Sequence, residues 1–151
     1  MNASNLSRDD WIVAGLAVVL AIVLLFLPWF SISVSGLGLT LTFTSTATGD
    51  PDGWLGILAV IAVIAVIVDL LIERFSPQTS LPELGGSREK TRFILVCVAA
   101  GLLALKFLFH INHFSDLGYG FWLALVVTAA LVFASLRASQ GQAIMPSRSA
   151  T

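Results

Sequence analysis

Lys106, His110 and His113 recur at i, i+4 and i+7, the spacing that places side chains on one face of a helix. An ammonium and two imidazoles on one stripe of an apolar segment could line a polar cavity and move a proton or an ion. Ionisable groups are costly in hydrocarbon, so they are functional candidates by default. A plainer reading is a lysine that snorkels toward the interface, with two interfacial histidines. His110, His113 and Asp116 also follow three-residue steps. Such a set can ligate a transition metal when folding converges it, but no Cys or further His completes it. We expect no metal and no cofactor, and take Lys106, His110, His113 and Asp116 as a candidate polar cavity or contact surface.

Asp69 is the second candidate. At about 100° per residue, Ala62, Ala65, Asp69 and Glu73 share one stripe. Small residues mark helix–helix contacts in membranes, so this stripe faces other helices. We expect an intramembrane ion pair from Asp69 to Arg8, Arg92 or Arg137; a proton relay is the sharper alternative. Lys106 lies about 10 Å below the opposite surface by helical rise, too far in depth for a direct pair with Asp69. Cys97, Gly101 and Ala104 stand opposite the Lys106 stripe, which gives that segment two expected contact sides.

These residues sit on elements that composition identifies. The 151 residues are 57% hydrophobic and 11% charged, with mean hydropathy +0.93, whereas soluble domains carry about 25% charged residues. Much of the surface must therefore face lipid. A bilayer core of about 30 Å needs about 20 apolar residues as helix, and four segments qualify: about 11–30, 54–73, 93–112 and 119–136. The first is too long for a signal-peptide core and has Asp9 and Asp10 before it, so it reads as an uncleaved anchor. Ser7 with Asp10 resembles a capping box, with Leu6 and Trp11 as its staple. The one cysteine excludes a disulfide framework, and the absence of a basic block argues against nucleic acid. The expected fold is an all-α membrane protein, a four-helix transmembrane bundle over 1–137 with a disordered cytoplasmic tail over 138–151.

Between spans 1 and 2, "SISVSGLGLTLTFTST" (Ser31–Thr46) alternates apolar and hydroxyl residues around a Gly-Leu-Gly centre. That pattern predicts a β-hairpin in the first extracytoplasmic loop. Ile32, Val34, Leu39, Leu41 and Phe43 form its candidate contact face. A lone hairpin is marginal in water, so this face should rest on the bundle's own helix ends or on a partner. The Thr-rich second strand carries no charge to blunt its edge.

Orientation follows from Lys and Arg. Arg74, Arg88, Lys90 and Arg92 fall in the 74–92 connection, Arg8 at the N-terminus, and Arg137 and Arg148 at the C-terminal side; segments 31–53 and 113–118 have none. Both termini and the 74–92 loop are expected in the cytoplasm of a multi-pass cell-membrane protein, with Trp29, Trp54 and Trp122 at the outer interface. Ser87 can cap an inner extension of span 3.

"FLPWFSISVSGLG" (Phe26–Gly38) and "GDPDGWLGILAV" (Gly49–Val60) resemble small four-span membrane proteins of the actinobacterial type, a group of unknown function that brings no activity with it. The architecture, a β-rich first outer loop and a short second one, is also similar to claudin-type tetraspans, although their loop cysteine pair is missing and "DGW" stands where they have Gly-Leu-Trp. No nucleophile with a base and no phosphate loop is readable, so no enzymatic activity is expected. The leading expectation is an accessory or scaffold subunit contacting lipids and another membrane protein or a second copy. The alternative is a small oligomeric transporter or channel using the polar stripe of span 3.

Overall fold

A computed structural model describes residues 8–49, 52–76, 78 and 87–144, with side chains described to 140. The elements follow as α1 (Arg8–Phe26), β1 (Pro28–Gly36), β2 (Leu39–Thr46), α2 (Gly53–Phe75), α3 (Arg88–Phe109), a 3-10 turn (Ile111–Asp116) and α4 (Tyr119–Ile144). All four α-helices are long and apolar enough to cross a membrane. The 22 residues of α3 rise about 33 Å, matching a hydrocarbon core. The expected four-helix bundle with a hairpin after the first helix is the observed fold.

Each helix packs on two neighbours, in the cycle α1–α2–α3–α4–α1. The buried positions recur every three or four residues: Val13, Ala17, Leu20 and Leu24 on α1, and Ala59, Val63, Val66 and Leu70 on α2. Lipid is as apolar as leucine, so burial of these residues adds no hydrophobic driving force within the bilayer. Close van der Waals packing of small and branched residues holds such helices together. The outward faces, including Val18, Ile22, Ile61, Ile64, Leu123 and Val126, are exposed and apolar, as lipid contact requires.

The helix ends differ from expectation where local chemistry intervenes. Span 1 was expected to reach Phe30, but α1 stops at Phe26 and residues 28–30 open β1. Pro28 causes this, because the residue before a proline is pushed out of the helical region. The start of α3 is as expected: the Ser87 side chain accepts a hydrogen bond from the Lys90 backbone N–H at 3.3 Å, the N-cap arrangement, and the helix begins five residues before the apolar run. At its far end, α4 continues to Ile144, past the expected limit at Leu136 and into the segment expected as disordered tail; "ASQGQAI" contains no proline to stop it. The remainder of that tail, and the Leu6 and Ser7 parts of the capping box and staple, lie outside the described residues.

The hairpin register is the one its alternation implies. Ile32 faces Phe43 and Val34 faces Leu41, while Ser31, Ser33 and Ser35 face Thr44, Thr42 and Thr40. One face is thus apolar and the other a ladder of hydroxyls, with Ser33 Oγ and Thr42 Oγ1 3.3 Å apart. Leu37 and Gly38 both have positive φ, 54° and 79°, the backbone of a two-residue type I′ turn.

Of the two supports expected for the hairpin's apolar face, the bundle's own helix ends do not provide one. That face does not cap the bundle: Ile32, Val34, Leu39, Leu41 and Phe43 are 48–71% exposed. Only the root is buried, at Trp29, Phe30 and Ala47. Two-strand pairing saturates the hairpin's inner backbone groups, and a charge-free tip meets nothing on its own helix ends to hold it down.

Candidate functional site

The hairpin's root is built around Lys106. This residue is 0% exposed and lies on the buried stripe of α3 with Arg92, Val96, Ala99 and Leu103. Its Nζ donates to the backbone carbonyls of Ala47 at 2.6 Å, Gly49 at 3.3 Å and Asp52 at 3.3 Å. The Phe30 ring centroid lies 5.8 Å from the same ammonium. Residues 47–49 and 52, between β2 and α2, are non-helical and turn three of their carbonyls onto this ammonium. Non-helical backbone at such a place needs donors from the protein, and an ammonium supplies three in one group. Gly56 completes the fit, since a Cβ there would collide with the Ala47 carbonyl.

His110 extends the same knot. Its Nδ1 is 2.9 Å from the Lys106 carbonyl, which requires Nδ1 to carry the proton. Its Nε2 lies 3.6 Å from Asp52 Oδ2, and its ring sits 5.1 Å from that of Phe30. Asp52 has positive φ, 52°, in the αL region that favours only a few residue types. On the other side of the root, the Gly118 N–H donates to the Trp29 carbonyl at 2.7 Å, and Trp29 packs edge-on against Phe121 at 5.1 Å. Trp29 was expected as an interfacial marker; only 2% of it is exposed, because Pro28 turns it back into the bundle. Trp54 and Trp122 do face outward.

The candidate cavity residues therefore separate. Lys106 and His110 are brought together and turned inward, toward the hairpin root. His113 is exposed and Asp116 half-buried on the 3-10 turn, and no group of three potential metal ligands converges among the described residues. Cys97, Gly101 and Ala104, expected as a second contact side of α3, are exposed, because the helix has its neighbours only on the Lys106 side.

At the opposite end, Asp69 does join an ion network. Arg92 donates to Asp69 and Glu73 of α2 and, at 3.2 Å, to Asp10 of α1. Arg88 adds a pair to Asp69 at 3.1 Å and a hydrogen bond to its backbone carbonyl at 3.4 Å. One buried guanidinium thus ties three helices together; its planar fork of donors suits several carboxylates. Of the three partners expected for Asp69, Arg92 is the one in contact. Arg88 was missed, although the i, i+4 spacing of Arg88 and Arg92 matches that of Asp69 and Glu73 and could have signalled it.

Among known proteins, no family model, no curated protein and no solved structure matches this chain. It is an integral membrane protein by its four apolar helices.

Proposed function

We propose that the chain is a cell-membrane protein with cytoplasmic termini that serves as a non-enzymatic accessory or scaffold subunit, and that its hairpin grips another membrane protein. The observation that carries this reading is a charge-free, two-faced hairpin that stands clear of the bundle while its root is fixed by Lys106. A rigidly held element loses little freedom on binding, which favours recognition. Exposed apolar faces of this kind mark contact sites in otherwise soluble loops. The transporter reading draws less support, because Lys106 is sealed and bonded to loop carbonyls rather than lining an open path. The four-span resemblance is compatible with either role.

In affinity purification from mild detergent, replacing Leu41 and Phe43 by Ser should remove the co-purifying membrane protein. The bundle's melting temperature should stay unchanged, because neither side chain packs on a helix. A large drop in melting temperature, or an unchanged set of co-purifying proteins, would contradict this reading.

The orientation rests on Arg8, Arg74, Arg88, Lys90, Arg92 and Arg137, all toward the end away from the hairpin. With Cys97 replaced, an impermeant thiol reagent added to intact cells should modify Thr42→Cys and spare Gln78→Cys. The reverse pattern would invert the protein in the membrane.

A further inference from the structure

Two grooves run between neighbouring helices on the outer surface of the bundle, and they differ in charge. The one between α3 and α4, about 450 Å³, has no charged side chain in its lining. The one between α1 and α2, about 590 Å³, is walled by Gly15, Val18, Ile67 and Leu71 and ends at Trp11 and Arg74. Arg74 is exposed. On α1, Arg8 stands three residues before Trp11, on the stripe that continues to Gly15 and Val18, and it is exposed as well. Each wall of this groove therefore finishes in an arginine. The carboxylates of that end point elsewhere. Asp10 and Glu73 bond Arg92 inside the bundle, and Asp9 lies about 100° round the helix from Arg8.

We infer that this groove is a binding site for one anionic glycerophospholipid of the leaflet away from the hairpin. An acyl chain lies along Gly15 and Leu71, and the phosphate meets Arg8 and Arg74 at the mouth. Gly15 makes the room: a Cβ built on it would meet nothing within 4 Å, so this poor helix former does not serve close helix packing. From Trp11 to Val18 and from Ile67 to Arg74 the walls rise roughly 10 Å. That is most of one leaflet of a core about 30 Å thick. A partner helix needs a contact along the whole span, whereas a lipid tail needs only its own leaflet. The planar guanidinium fork suits a phosphate, and an indole at headgroup level is the usual neighbour of one. Basic pockets between spans favour anionic headgroups. A zwitterionic lipid offers the same chains without the net charge that two arginines complement.

The test uses the full chain in phosphatidylcholine vesicles with increasing mole fractions of a diazirine-chain phosphatidylglycerol or a diazirine-chain phosphatidylcholine. Adducts are mapped by mass spectrometry. The phosphatidylglycerol probe should label Trp11–Val18 and Ile67–Arg74 saturably, at about 25-fold lower mole fraction than the phosphatidylcholine probe. Arg8→Gln and Arg74→Gln should each reduce that preference about fivefold, the usual effect of one cation near an anionic headgroup, and together should abolish it. Both side chains are exposed, so the melting temperature should not change. Gly15→Leu should close the groove to both probes. The α3–α4 groove, which has no charged lining, should label without preference. Equal labelling of the α1–α2 groove by the two probes, a preference that survives the double variant, or labelling that ignores Gly15→Leu would each overturn the inference. A photoreactive amino acid at Val18 should capture phosphatidylglycerol; capture of polypeptide alone would overturn it as well.

Discussion

Replacing Arg92 by Met should lower the melting temperature of the detergent-purified protein by roughly 10 °C, corresponding to about 3–5 kcal/mol. The guanidinium is 3% exposed and is shared by Asp10, Asp69 and Glu73. Removing it leaves like charges facing each other across α1 and α2, the costly way to break a buried pair. Asp10→Asn should cost much less, because Arg92 keeps two carboxylates and the amide still accepts a hydrogen bond. Arg88 remains on Asp69 in both variants, so the contrast isolates Arg92. A native-like melting curve for Arg92→Met would mean that the network contributes nothing to holding the three helices.

Lys106→Met should act at the other end and in a different manner. Methionine keeps the length and apolar stem but removes the donor of three hydrogen bonds to Ala47, Gly49 and Asp52. Each carbonyl left unsatisfied costs about 1–3 kcal/mol; entry of water at this end relieves part of that, so about 3 kcal/mol in total is expected. The effect should be local. Amide exchange should accelerate through residues 44–56 and the β1 root, while the middle of α1 and α4 stays protected, because their packing does not involve Lys106. Membrane insertion should be undiminished, since the variant makes span 3 more apolar. Uniform destabilisation of all four helices would show that Lys106 belongs to the bundle rather than to the root.

The parts legible from sequence are those that periodicity encodes. Four apolar lengths gave four helices, and strict alternation between Ser31 and Thr46 implied both the hairpin and its register. Asp69 was recognisable because small residues share its stripe. Periodicity is silent about partners that are backbone. Nothing in the residue types of Ala47, Gly49 and Asp52 announces that their carbonyls converge on Lys106, so its stripe read equally well as a cavity. Arg88 counted only toward orientation in the 74–92 connection, although the Ser87 cap that extends α3 to include it was legible. Alternation likewise shows that the two hairpin faces differ, not which of the two expected supports, the bundle or a partner, lies against the apolar one.

Display of the hairpin to another membrane protein can be read from a photoreactive amino acid placed in intact cells at Leu41, on the apolar face, and at Thr42, on the hydroxyl face. A discrete protein adduct is expected from the Leu41 position that disappears with Phe43→Ser, and little from Thr42. Lipid adducts alone from Leu41 would show that the apolar face rests on the bilayer, and would contradict that display.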